Sequence, residues 1–268
     1  MTEIHWFDLD NTLWKTNAKW WILDKRNPLN PIVRITQHEA QLILNGNFIT
    51  DGNQIVYNGF NGWLDNELLT KVKQKKNIEL ENIGISFREY QDENLIVTQA
   101  SELFVYIDRL KHIKSNKINL LTARANKKAH NSLIDKLSEK LSEIDIKIND
   151  IVFVSDPSCV HNYGSTSEKK LQCIIESLIG YKIDNGFTPI MCDKYDECYF
   201  YDDEDLNIDE CKNINFRIEY LLSLTQPWLK ERIISNLKNS DQKLFLNLVT
   251  TNEMNPFETS IIDIKINI

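Results

Sequence analysis

Apolar positions along this chain come in two patterns. The first run, Glu3 to Phe7, is short and stops abruptly on "DLDNT". It reads as a buried strand. From about residue 95 onward, short apolar runs alternate with segments of helical period. "ASELFVYIDRLKHI" has helical spacing, and "KINLLT" reads as a strand. "KKAHNSLIDKLSEKLSEI" is an amphipathic helix followed by the strand "DIVFVS". "SEKKLQCIIESLI" is a helix followed by the strand "CYFY". Near residue 216, "FRIEYLL" predicts a further strand, and "PWLKERIISNL" predicts a helix with Pro227 near its start.

Residues 15–94 break this alternation and hold most of the glycines. Thr36 and Glu39 fit a capping box ahead of "AQLIL", with Asn45-Gly46 as its stop. "NFITDGNQIVYNG" predicts a hairpin around Asp51-Gly52, and "DNELLTKVKQKK" predicts a helix with Asp65 near its cap. Strand alternating with helix implies right-handed crossovers and a parallel sheet. The expected fold is therefore α/β, a Rossmann-like parallel sheet with helices on both faces. The core takes residues 1–14 and 95–222, an inserted cap takes 15–94, and 223–268 form a C-terminal helix and extension. The ending "SIIDIKINI" fits a strand or a mobile tail.

Length and composition narrow the function class. The 268 residues are 42% hydrophobic and 26% charged, enough for one core with an insertion. A net charge of −8 argues against a long nucleic-acid duplex as partner. No apolar run approaches the roughly 20 residues of a membrane helix. The N-terminus has no basic segment leading into an apolar one, so no signal peptide is expected. The 5 cysteines include no C-x-x-C pair and read as thiols in a reducing, cytoplasmic setting. Cys159 and His161 have no second ligand pair at suitable spacing, so zinc is not expected there.

The polar residues that end the apolar runs carry the chemistry. Ligands of an open parallel sheet sit beyond the carboxyl ends of its strands. The first strand ends on Asp8 and Asp10, with Asn11 and Thr12 behind them. "INLLTAR" ends on Thr122 and Arg124. The helix of "STSEKKLQ" begins near Lys169 and Lys170. "CYFYDDEDLN" ends on Asp202 and Asp203, with Asp205 and Asn207 beyond. Carboxylates at the end of a buried strand need a cation or a proton. Oxygen-only donors suit Mg²⁺, which leaves room for water and phosphate. A hydroxyl and a lysine suit phosphate oxygens. A carboxylate facing phosphorus can form an aspartyl-phosphate, and a second can move the proton. Of the two lysines, Lys170 shares a helix face with Ile174 and Leu178 and is the expected phosphate holder.

"FDLDNTLW", "LLTAR", the lysine at the helix start and "YFYDDEDLN" resemble the ordered motifs of the haloacid dehalogenase superfamily. The resemblance covers about 1–14 and 95–222. It implies Asp8 as nucleophile and Asp10 as general acid and base. It implies Thr122 and Lys170 as phosphate holders, and Mg²⁺ on Asp8, Asp203 and the carbonyl of Asp10, with Asp202 binding directly or through water. Asn11 stands where glycine is common in the family. The second aspartate is a feature of the family's phosphatases and phosphotransferases, which its dehalogenases lack.

Arg124 fits a substrate contact or an ion pair. "LLTAR" and the spacing of Asp202, Asp203 and Asn207 resemble phosphatase domains of nucleic-acid end-repair enzymes. The substrate expected from this is a nucleotide or a nucleic-acid end phosphate, with other phosphorylated small molecules open. Trp14, Trp20, Trp21 and Trp63 serve either as packing or as a stacking platform for a base. The alternative to an enzyme is a binding protein of the same fold that captures a phosphorylated ligand or acts as a scaffold.

Overall fold

The computed structural model describes residues 2–35, 54–57, 60–63, 83–86, 88–91, 96–100, 117–124, 131–156, 164–182, 190–238, 243–251 and 258–264. The chain divides into two units, Met1–Lys15 with Thr98–Ile268, and Thr16–Val97.

The first unit is built on a six-stranded sheet. Its strands are β1 (Glu3–Phe7), β9 (Lys117–Thr122), β10 (Lys147–Phe153), β13 (Glu197–Asp202), β14 (Leu244–Thr250) and β15 (Thr259–Ile264). They lie in the order β10-β9-β1-β13-β14-β15. All pairs are parallel except β14 with β15. Helices α1 (Asn131–Ser142), α2 (Thr166–Ile179), α3 (Asp205–Lys212), α4 (Ile214–Leu224) and α5 (Pro227–Lys238) flank this sheet. The fold is a mixed α/β, Rossmann-like arrangement. Among the described residues, no helix is long and apolar enough to cross a membrane.

The two faces of β1 follow its alternation. Ile4 and Trp6 join a buried cluster with Phe200, Leu246 and Leu248 from the sheet and Leu171, Ile174 and Leu178 from α2. On the other face, His5 and Phe7 stack on their register partners Tyr199 and Tyr201, at ring separations of 4.5 and 4.1 Å. Such cross-strand aromatic pairs fix register as well as bury area.

Helix α2 has clear boundaries. The Ser165 hydroxyl accepts the N–H of Glu168, and the Glu168 carboxylate accepts the N–H of Ser165, a closed capping box. Arg217 of α4 also reaches the Glu168 carboxylate and binds Glu210 of α3, tying three helices together. The helix stops at Gly180, whose φ of 74° is in the left-handed region.

"FRIEYLL" is helical, not a strand. Ile214, Ile218 and Leu222 of α4 are buried at intervals of four, while Phe216, Tyr220 and Leu224 face out. The alternation of Phe216, Ile218 and Tyr220 with Arg217 and Glu219 hid that period behind a strand-like one. The segment after 222 adds α5 and then β14, which is buried along nearly its whole length between β13 and β15.

Short two-stranded pairs join β2 (Trp14–Thr16) with β8 (Ile96–Ala100) and β11 (Tyr181–Lys182) with β12 (Ile190–Met191). The second unit contains β3 (Trp20–Asp24), β4 (Asn27–Ile35) and β7 (Ile83–Ser86) in one antiparallel sheet, and a hairpin of β5 (Gln54–Tyr57) with β6 (Phe60–Trp63). In that hairpin Gln54 pairs with Trp63 and Tyr57 with Phe60. The expected turn at Asp51-Gly52 lies outside the described residues, as do the capping box at Thr36 and the helix after Asp65. Most of "ASELFVYIDRLKHI" lies outside them too. Buried Glu89 anchors this unit, accepting from the Trp21 indole at 2.5 Å, the Lys19 N–H at 2.9 Å and Arg34.

Candidate active site

Counting only the parallel strands in chain order, the sheet reads 3-2-1-4-5. The order reverses at β1, and ligands of such sheets sit at that switch point. Asp8 follows β1 there, and Asp202 closes the adjacent β13. The N–H of Asp8 donates to the carbonyl of Tyr201 at 2.9 Å, and that of Thr251 to the carbonyl of Asp202 at 2.9 Å. The ladder therefore continues just past the strand ends and holds both aspartates side by side.

The chain then makes a tight turn. The carbonyl of Leu9 accepts the N–H groups of Leu13 and Trp14 at 3.1 and 3.0 Å. Asn11 adopts a φ of 56°, in the left-handed region that asparagine tolerates better than most residues. Leu9 and Leu13 are buried and anchor the turn, and the Thr12 hydroxyl meets that of Thr251 at 2.9 Å.

Lys170, one turn into α2, is 1% exposed. Its ammonium donates to Asp8 Oδ1 and to Asp202 Oδ2, both at 2.7 Å. Lys169 is half-buried. Three donor groups reach Asp202. Its Oδ1 accepts from the Glu204 N–H at 2.9 Å and from Asn207 Nδ2 at 2.9 Å, and its Oδ2 from Lys170 and from Asn207 Nδ2 at 3.0 Å. The Asn207 amide has two hydrogens, which its contacts to the two Asp202 oxygens and to Glu204 share. Asn207 also donates to Glu204 and accepts from the Ser167 hydroxyl of α2 at 2.7 Å. Asp202 thus works as the cradle for Lys170.

Asp10 meets a different cation. Arg124 Nε donates to Asp10 Oδ2 at 3.0 Å and Nη2 to Oδ1 at 2.5 Å, a forked pair buried on both sides. Thr122 closes β9 fully buried, and its hydroxyl accepts the N–H of Arg124 at 3.3 Å. Asp205 is exposed at the start of α3.

Burial is the main force on the acids here. It pushes Asp8 well above the usual carboxylate range; Lys170 pulls it back, while Asp202 and Asp10 add to the rise. Burial, then Asp202 and Asp8, do the same to Asp203. Burial and Asp202 also raise Glu204. For Lys170, burial works against the ammonium, but Asp202 and Asp8 outweigh it and raise its pKa. Five carboxylates (Asp8, Asp10, Asp202, Asp203, Glu204) against two cations (Lys170, Arg124) give a formal charge of −3.

That surplus fits a hard divalent cation. Asp8, Asp202 and Asp203 each bring a carboxylate oxygen within 4.8 Å of the others, and the donors are all oxygen. Asp8, Asp202 and Asp203 are the residues that would hold it, Asp202 being the one that other donors engage most.

A comparison with protein-family models finds no match, and comparisons with curated proteins and with solved structures find none either.

Asp8, Asp202, Asp203, Lys170 and Asn207 share one cluster, and Asp10 and Arg124 pair beside it. The sequence reading passed over Glu204, although a third consecutive acid at a buried strand end was a signal. It also left open whom Arg124 meets. Trp14 is buried, and Trp21 binds Glu89 with the Arg88 guanidinium 4.5 Å over its ring. The Trp63 side chain, Cys159 and His161 lie outside the described residues.

Proposed function

We infer that this chain is an Mg²⁺-dependent phosphomonoester hydrolase working through a phospho-aspartate on Asp8. One observation carries the reading: a buried ammonium, Lys170, 2.7 Å from the carboxylate that ends the central strand at the switch point, with a second carboxylate two residues on. The order and placement of the residues that resemble the haloacid dehalogenase motifs support it.

An Asp8 oxygen attacks phosphorus and the ester bond breaks. Asp10 gives the departing oxygen its proton. Water then attacks the phospho-aspartate and loses its proton to Asp10, which releases phosphate and restores Asp8. Lys170 and the Thr122 hydroxyl hold phosphoryl oxygens through this cycle. Asp8, Asp202 and Asp203 would hold Mg²⁺, which would supply positive charge to offset the formal −3 of the site when a phosphate dianion binds.

The second unit, inserted between the first motif and the second, acts as the cap that selects the substrate. A nucleotide or nucleic-acid end phosphate is the class we assign, since "LLTAR" and the following acidic motif resemble end-repair phosphatase domains.

Turnover of an aryl phosphate with Mg²⁺ and with excess chelator tests the chemistry, and Asp8→Asn tests the nucleophile. Loss on the order of 10⁴ or more is expected for the variant. Full activity in chelator, or in folded Asp8→Asn, overturns the reading. Tight phosphate binding without turnover would favour the binding-protein alternative. Relative kcat/KM for a nucleoside monophosphate, a 3′-phosphate oligonucleotide and a sugar phosphate tests the substrate class.

A further inference from the structure

Arg124 follows β9 and Asp10 follows β1, two strands paired through Phe7 and Leu120. Their side chains meet across that seam. Arg124 is 3% exposed and Asp10 8%. The guanidinium edge formed by Nε and Nη2 covers both carboxylate oxygens, at 3.0 and 2.5 Å. One hydrogen bond leaves a carboxylate able to swing about its last torsion, whereas a planar fork on both oxygens fixes the plane. That forked edge is one of the two an arginine can offer to phosphate, and here Asp10 occupies it. The backbone adds a second restraint, because the N–H of Arg124 donates to the Thr122 hydroxyl at 3.3 Å.

The geometry points to Arg124 as a positioning residue that aims the Asp10 carboxyl at the proton it moves, rather than as a contact to the substrate phosphate. This rests on the hydrolase reading above. It gives Arg124 an effect only in steps where Asp10 exchanges a proton. Those are departure of a basic leaving group and attack of water on the phosphoenzyme. Departure of a weakly basic leaving group needs no proton and is spared.

The test compares 2,4-dinitrophenyl phosphate with 2-phenylethyl phosphate in rapid-mixing kinetics with Mg²⁺. The variants are Arg124→Lys, Arg124→Gln, Asp10→Asn and the Arg124→Lys/Asp10→Asn pair. Lysine keeps the charge but not the fork. For both Arg124 variants, the first-turnover burst of dinitrophenolate should keep its rate within about threefold, while the steady rate falls roughly 10²-fold, the scale of a misaimed proton donor or acceptor. With the alkyl ester the first turnover itself should slow by roughly 10²-fold. Adding Arg124→Lys to Asp10→Asn should lower rates by less than about threefold, since the two act as a unit. Inhibition by orthophosphate should stay within about threefold of the parent's.

Equal slowing of both first turnovers, full rescue by lysine, additive losses or an orthophosphate constant weakened tenfold or more would overturn the inference and return Arg124 to the phosphate. An unchanged steady rate in Arg124→Lys overturns it as well, leaving the hydrolase reading intact. Absence of turnover by the unsubstituted protein overturns that reading, and this inference with it. Thermal melts report folding of each variant, and Arg124→Lys carries the comparison if Arg124→Gln does not fold.

Discussion

Lys170→Met removes one buried charge and keeps most of the side-chain volume. The ammonium sits 2.7 Å from both Asp8 and Asp202, and all three side chains are buried. Taking it away strands two carboxylates in the interior. Breaking a buried ion pair from one side typically costs about 3–5 kcal/mol. Set against a total stability of roughly 5–15 kcal/mol, that is a large fraction. At roughly 2–4 °C per kcal/mol for a chain of this size, the melting temperature should fall by about 6–20 °C. The penalty should depend on pH, and its sign is fixed. Without Lys170, nothing opposes the burial that raises Asp8 above its ordinary value of 3.8. The folded state then holds protons that the unfolded state has already lost. Stability therefore falls as pH rises through the raised pKa, and the penalty is smaller at pH 5 than at pH 8. Adding Asp202→Asn should recover at least about 1 kcal/mol, because it removes one of the two stranded charges. Lys169→Met, on a half-buried side chain, should stay within about 0.5 kcal/mol of the parent. Urea denaturation and thermal melts at the two pH values read all of this. A Lys170→Met melt within about 2 °C of the parent, or a penalty equal at both pH values, would refute the cradle described here.

Three further outcomes follow from other parts of the molecule. Burial pushes His5 down from 6.5 to about 4, with Glu3 and Glu197 pulling the other way. The folded state then keeps the ring neutral where the unfolded chain ionises, so stability present above pH 6.5 is lost toward pH 4, by about 3 kcal/mol; His5→Gln should flatten that limb in melts at pH 7.5 and 4.5, and an unchanged acid slope counts against it. Gly180→Ala places a Cβ 3.0 Å from that of Lys194 on a backbone at φ 74°, and should lose about 1–2 kcal/mol by urea denaturation; a neutral result would remove the strain argument. Trp20→Ala should weaken kcat/KM for a nucleoside monophosphate by about 10- to 100-fold and spare a small phosphate ester, whereas Trp14→Ala, on a buried ring, should lower the melting temperature instead; equal effects on both substrates would leave Trp20 to packing.

The site was more legible in the sequence than the fold around it. Polar residues that interrupt apolar runs mark strand ends, and strand ends of a parallel sheet gather at one edge. Asp8, Thr122 and Asp202 announce themselves that way. Lys170 followed from register, since it repeats with Ile174 and Leu178 on one face of α2, and both of those are fully buried. What stayed hidden was pairing. No spacing tells that Arg124 grips Asp10, because that contact joins segments 114 residues apart in the chain. Element type failed where both readings bury apolar residues. "FRIEYLL" looks like a strand by composition and is a helix by its period of four. β14 had the opposite problem: a strand covered on both faces shows no alternation, and Asn247 interrupts its apolar run.

The strand at the centre of the sheet is also the first of its six strands that a ribosome makes. β1 pairs with β9 and β13, and Trp6 waits for Phe200, about 190 residues later in the chain. At roughly 5–20 residues per second, translation leaves that interval open for on the order of 10–40 s. Until β9 is made "IHWF" is an apolar segment with both edges unpaired, and until β13 is made one edge stays open, the kind that joins other strands when left exposed. Chaperone demand in this molecule should therefore be greatest during synthesis, and should fall once β13 has emerged. Refolding of the full-length chain, where every partner is present from the start, escapes that interval but still needs contacts of long sequence separation, and should be slow.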